Sequence, residues 1–147
     1  MTTFRFRHPI EVRYADIDSF QHVNNARYFT YMEQARSHYF QRLGLWDGRR
    51  LDHLEVILAS ARCDYIKPIA FGDAITVAVA TIRLGNKSFD MAYAIEGEGG
   101  GLFAEGASTL VAYDYQAGRS IALPDAWRQR LGEFEGIGTA PATEPDQ

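Results

Sequence analysis

The densest group of side chains able to do chemistry lies between positions 16 and 25: Asp16, Asp18, Ser19, Gln21, His22, Asn24 and Asn25. A helical pattern follows at once, which sets a carboxylate beside a helix N-terminus. Such an end carries free backbone N–H groups and partial positive charge. There a carboxylate can attack a substrate or deprotonate water while a helix N–H holds a developing oxyanion. The same residue types also build plain capping loops, because Asp and Asn satisfy turn backbones on their own. For His22, capping, packing and catalysis are all open. Composition and spacing leave these readings side by side.

Other chemistries fit less well. Asp16 and Asp18 resemble half of a metal site, but His8, His22, His38 and His53 lack ligand spacing and no HExxH run is present, so no metal is expected. There is no GxSxG nucleophile turn. Cys63, between Arg62 and Asp64 in a strand-like run, reads as a small half-buried residue; a single cysteine also excludes an internal disulfide. Gly99-Gly100-Gly101 leads into a strand and not a helix, which excludes a phosphate loop. Glu33 precedes Arg36 by three, the spacing of a helix ion pair.

The elements that must position the loop can be read from periodicity. Tyr28, Met32, Ala35 and Tyr39 fall at helical spacing, and Phe29, Phe40 and Leu43 widen the apolar face. Asn24 or Asn25 caps this helix and Gly44 ends it. Ahead of the loop, Ile10, Val12 and Tyr14 alternate with Glu11, Arg13 and Ala15, a half-buried strand. Four strands follow at 55–67, 74–84, 88–96 and 102–115, separated by turn residues such as Gly85-Asn86 and Gly99–Gly101. A short helix closes the domain at 124–131. Residues 132–147, rich in Gly, Pro, Thr and Glu, read as a flexible tail, leaving 1–131 as one domain.

This order predicts an α+β architecture: an antiparallel five-stranded sheet around one long buried helix. Open edge strands predict a homodimer paired edge to edge. The chain has 147 residues, enough for one core; 46% hydrophobic and 23% charged residues exclude wholesale disorder and collagen. A net charge of −4 argues against a nucleic-acid partner. The N-terminus lacks the apolar stretch of a signal peptide, and no run approaches membrane-spanning length, so no membrane association and a cytoplasmic location are expected.

The run Arg13-Tyr-Ala-Asp-Ile-Asp18-Ser-Phe-Gln-His22-Val-Asn-Asn25-Ala-Arg-Tyr28, continuing through Glu33 to Arg36, resembles the signature of the hotdog-fold acyl-CoA thioesterases of the 4-hydroxybenzoyl-CoA thioesterase-like superfamily. Supporting matches are Arg62 to Asp73, Arg83 to Phe89, Gly118-Arg119 and Leu123-Pro124. The resemblance implies hydrolysis of an acyl-CoA, or an acyl carrier protein thioester, with no cofactor. It implies active sites at a dimer interface, with dimers that often pair again into tetramers. It assigns Asp18 as the catalytic carboxylate, as nucleophile or general base, and the backbone N–H of Asn25 as oxyanion donor, with His22 beside them. It places Tyr28, Arg83, Lys87 and Ser88 on the substrate; Arg62 is a further candidate for the phosphates. The turn that is arginine-rich in aromatic-acyl relatives is Leu84-Gly85-Asn86 here, and His22-Val-Asn-Asn25 is similar to the aliphatic branch. Phe29, Met32 and Leu58 are candidates for an acyl pocket. Two rival readings on the same fold are an enoyl-CoA hydratase using Asp18 and His22, and a non-catalytic acyl-CoA-binding protein.

Overall fold

The computed structural model describes residues 2–50 and 55–142. Strands β1 (Phe6–Ile10), β2 (Val56–Tyr65), β3 (Ile75–Leu84), β4 (Ser88–Gly97) and β5 (Leu102–Asp114) form one antiparallel sheet in the order β1-β3-β4-β5-β2. A two-residue strand, β6 (Arg119–Ser120), folds back on β5. Helix α1 (Asn25–Arg42) connects β1 to β2 and packs on this sheet, and α2 (Asp125–Glu135) follows β6. The four later strands stand where alternation and glycine turns put them. Among the described residues no helix is long and apolar enough to cross a membrane.

Helix α1 is held by its aromatic face. Tyr28, Tyr31, Met32, Ala35, Tyr39 and Phe40 are buried. Full burial of such large side chains contributes roughly 1.5–3 kcal/mol each. Tyr39 meets Phe6 of β1 edge-on, and Phe40 packs between Phe89 of β4 and Trp127 of α2. Met32 lies over Gly106 of β5, where an added Cβ would stand 2.5 Å from its terminal methyl. Glycine there lets helix and sheet approach closely. Asn24 caps the helix through its side-chain oxygen, which accepts the Ala26 N–H at 2.9 Å.

Two expectations need correction. The strand expected across Ile10 to Tyr14 lies instead at Phe6–Ile10, where it pairs with Val79 to Ile75 of β3. Beyond Ile10 there is no further β3 residue to pair with, and the Arg13 N–H turns to the Asp16 carboxylate, closing a 3-10 turn at Tyr14–Asp16. The closing helix runs past Leu131 to Glu135, so the expected tail is packed over its first part. The cause is Glu135 itself. Its buried carboxylate accepts the Tyr39 hydroxyl and the Thr81 N–H, the latter beside a bulge in β3. The chain remains attached as far as Ala142, whose N–H reaches the Leu84 carbonyl. Residues 143–147 lie outside the described residues.

Candidate active site

The loop between Asp16 and Asn24 is closed by two aspartates with opposite environments. Asp16 is only 1% exposed. Its carboxylate accepts the Arg13 N–H, the Arg13 guanidinium and the Tyr31 hydroxyl, and Arg27 lies 3.8 Å away. Burial pushes its proton affinity up, but the hydrogen bonds from Arg13 and Tyr31 and the Arg13 charge outweigh that, and the carboxyl is held below its ordinary range. Tyr31 responds in the other direction: burial first, then the bond to Asp16, raise its hydroxyl. The Asp16 carbonyl also accepts the Asn24 N–H, so this residue ties the loop to the helix cap.

Asp18 stands two residues further on, at the tip. Its backbone N–H donates to the His22 carbonyl, its carbonyl accepts the Gln21 N–H, and one carboxylate oxygen accepts the Phe20 N–H at 2.9 Å. Gln21 closes the turn at φ 67°, a left-handed conformation that only a tight turn demands of such a residue. Ile17 bridges Val23, and the Val23 N–H reaches the Ile69 carbonyl. The half-buried Asp18 side chain is thereby fixed with its second oxygen unpartnered among the described residues.

Asp18, His22, Asn25 and Tyr28 line one cleft of about 460 Å³. Asn25 is the first residue of α1, and its N–H has no acceptor among the described residues. The opposite wall is Tyr65-Ile66-Lys67-Pro68, from the end of β2. Two tyrosines join the walls. The Tyr65 hydroxyl donates to the Asn25 carbonyl at 2.8 Å, and the buried Tyr28 ring meets Tyr65 edge-on at 4.8 Å. Burial raises the Tyr28 hydroxyl. Among the described residues no three metal-ligating side chains of the His, Cys, Asp and Glu types come together.

The cleft therefore assembles a carboxylate with a spare oxygen, a helix-terminal N–H and an imidazole that borders the cavity. The cap belongs to Asn24, so the His22 side chain does not cap α1; only its carbonyl serves the turn. Arg83, Lys87 and Ser88 are not brought to the cleft within the chain. They lie at the β3–β4 turn, beside Phe89, which packs on Phe40 near the other end of α1. An 18-residue helix spans about 27 Å. Arg62 also stands outside the cleft lining, beside Asp64. Phe29, Met32 and Leu58 border a separate pocket of about 140 Å³ together with Arg36, Tyr93 and Ser108. Glu33 pairs with Arg36 as its spacing predicts. Cys63 is half-buried, and burial raises its thiol. The wall residues Tyr65 and Lys67 were not singled out from sequence; Pro68, which stops β2 opposite the helix start, is the signal that could have found them.

Comparison with known proteins bears on what such a cleft does. Residues 12–131 match the sequence profile of the thioesterase-like superfamily. The chain is 27% identical to the long-chain acyl-CoA thioesterase FadM of Escherichia coli over 85% of this chain and 96% of that protein. It is likewise 27% identical to the uncharacterized protein YsmA of Bacillus subtilis, over 88% of this chain and 87% of that one. A Thermus thermophilus thioesterase, solved in complex with coenzyme A and zinc, superposes with a TM-score of 0.82 at 37% identity, covering 94% of this chain and all of that one. The match spans the loop, the helix and the sheet that together build the cleft, and the chain belongs to the thioesterase-like superfamily.

Proposed function

We propose that this chain hydrolyses acyl-CoA thioesters in the cleft at the start of α1, with Asp18 as the catalytic carboxylate. One observation carries the reading: Asp18 and the unpartnered Asn25 N–H border the same cavity at the positive end of a buried helix. The thioester carbonyl oxygen takes up the Asn25 N–H, which is worth about 3–4 kcal/mol when the donor is preorganised. Asp18 then removes a proton from water as the water oxygen bonds to the acyl carbon. The C–S bond breaks, and the thiolate leaves with that proton. In the nucleophilic variant an Asp18 oxygen bonds the acyl carbon as the C–S bond breaks and the thiolate leaves; water then adds to the acyl carbon of the resulting anhydride, freeing the acid and the Asp18 carboxylate, and its proton passes to the thiolate. His22 lines the same cleft. Tyr28 and Tyr65 keep the walls in register.

A homodimer completes the arrangement in this reading. Strand β2 is an edge of the sheet and largely exposed, and Leu58 on it is 47% exposed. Pairing that edge with a second copy covers its free backbone groups. It also offers a route by which Arg83, Lys87 and Ser88 of another copy approach the cleft. Further pairing into a tetramer and a cytoplasmic location belong to the same proposal.

Thiol release followed colorimetrically across acetyl, octanoyl, palmitoyl, benzoyl and phenylacetyl CoA tests the activity. Release is expected, with the aliphatic chains favoured. A change in enoyl absorbance without thiol release would instead mark a hydratase, and binding with neither signal a non-catalytic protein.

A further inference from the structure

Lys67 stands where the cleft meets a second hollow, of about 340 Å³, bordered by Asp73, Glu98, Gly101 and Phe103. Among the described residues it is the one lysine or arginine that lines the cleft. Its ammonium sits 4.5 Å from the Phe103 ring centroid and has no carboxylate partner among the described residues. The arginines around the loop are committed elsewhere: Arg13 and Arg27 to Asp16, Arg62 to Asp64.

The placement is built on both the backbone and the side chain. The N–H groups of Ile66 and Lys67 both donate to the Phe103 carbonyl, at 2.9 and 3.1 Å. The Phe103 ring rests on Gly97, where a Cβ would stand 2.7 Å from it. A cation held on an aromatic face keeps its ammonium hydrogens available to an anion. Asp73 and Glu98 border the second hollow together with Lys67, whereas Asp18 is the one carboxylate among the described residues that line the cleft, so an anion meets less repulsion on approaching Lys67 from the cleft.

A thioester held between Asp18 and Asn25 must lead its thiol arm out of this cleft, and a coenzyme A type of thiol carries phosphates along that arm. We infer that Lys67 anchors a phosphate of the thiol carrier, from the same chain that supplies Asp18. This rests on the thioesterase reading above. It moves the first cationic contact from the β3–β4 turn to the end of β2.

The test compares one acyl group carried on coenzyme A, on 4′-phosphopantetheine and on pantetheine. Lys67→Met keeps the stem on Phe103 and removes the charge. Its KM for acyl-CoA should rise about tenfold more than its KM for the acyl-pantetheine, with kcat following the wild type for each substrate. Lys67→Arg should restore most of the loss, and added salt should raise the wild-type KM for acyl-CoA but not that of Lys67→Met. A phosphopantetheine thioester that follows acyl-CoA supports a contact at the pantetheine phosphate; one that follows pantetheine supports a contact at the nucleotide end. Equal changes for coenzyme A and pantetheine substrates, or a loss seen in Lys87→Met and not in Lys67→Met, would overturn the inference. Calorimetric binding of desulpho-coenzyme A separates the two proposals. A wild type that binds it but releases no thiol from any substrate removes the thioesterase reading, while a tenfold weaker Lys67→Met still supports the anchor and unchanged binding overturns it.

Discussion

The two ends of α1 each face a carboxylate, and the two are used in opposite ways. At the C-terminal end Glu135 is buried, and it accepts the Tyr39 hydroxyl and the Thr81 N–H, with Arg5 3.7 Å away. Phe6, Phe134 and Phe40 surround the Tyr39 ring. Both bonds fall on one carboxylate oxygen and the other faces the Arg5 guanidinium, so the group is tied to its neighbours in the fold. At the N-terminal end Asp18 is half-buried with one oxygen spent on its own turn, and Asn25 offers an unpartnered N–H beside it. A saturated carboxylate makes a joint between elements. An unsaturated one at a helix start can do work on something that enters. Asp16 shows that the difference is not one of location, since it lies two residues from Asp18 yet accepts hydrogen bonds on both carboxylate oxygens.

This contrast can be broken by substitution. The largest effect on folding is expected from Glu135→Ala, which leaves the buried Thr81 N–H without an acceptor and the buried Tyr39 hydroxyl with the Thr81 hydroxyl alone. The cost should be about 3 kcal/mol, read as a melting midpoint lower by about 10 °C. If the midpoint holds, Glu135 is not the joint described. Asp16→Asn should cost about 1–2 kcal/mol by denaturant titration, because a charge-assisted network becomes a neutral one. The wild type should also lose stability in acid at this site. A carboxyl held low in the folded state contributes fully above its unfolded value, and that contribution fades as pH falls through the lower folded value. The acid limb of the stability curve should therefore flatten in Asp16→Asn, and an unchanged limb would remove Asp16 from it.

A smaller effect is expected where β1 meets α1. His8 and His38 stack with ring centroids 3.9 Å apart, and burial, then the neighbouring imidazole, lower His8. The unfolded chain thus binds a proton more readily, and stability should decline as pH falls through the ordinary histidine range. His38→Gln should shrink that decline, measured as melting midpoint between pH 7.5 and 5.5. The smallest change should come from Tyr65→Phe, which removes one hydrogen bond across the cleft; a few-fold fall in kcat/KM with little change in stability is expected.

How far the sequence could be read follows from how local each signal is. Strands β3, β4 and β5 carry their alternation and turn residues within a few positions, and α1 carries its aromatic stripe and cap. That Asp18, His22 and Asn25 gather around one cleft was legible for the same reason, since they lie close together in the sequence. The first strand was misplaced because Val12 and Tyr14 prolong the alternation after β1 has lost its partner, and Tyr14 is 85% exposed. The start of the tail was misplaced because Glu135 looks solvated by composition, while its partners Tyr39 and Thr81 are far away in the chain. The wall at Tyr65 and Lys67 depends on where β2 ends in space relative to α1, which no spacing encodes. Arg83, Lys87 and Ser88 were placed on the substrate by resemblance alone, and within one chain they stand near the opposite end of α1 from the cleft.

The claim at the centre is that the spare oxygen of Asp18 works on a thioester carbonyl held at the helix start. Thiol release by Asp18→Asn, on the acyl-CoA the wild type turns over best, tests it most directly. A fall of about a hundredfold or more is expected, with the melting midpoint unchanged; turnover within a few-fold of the wild type would contradict this role for Asp18.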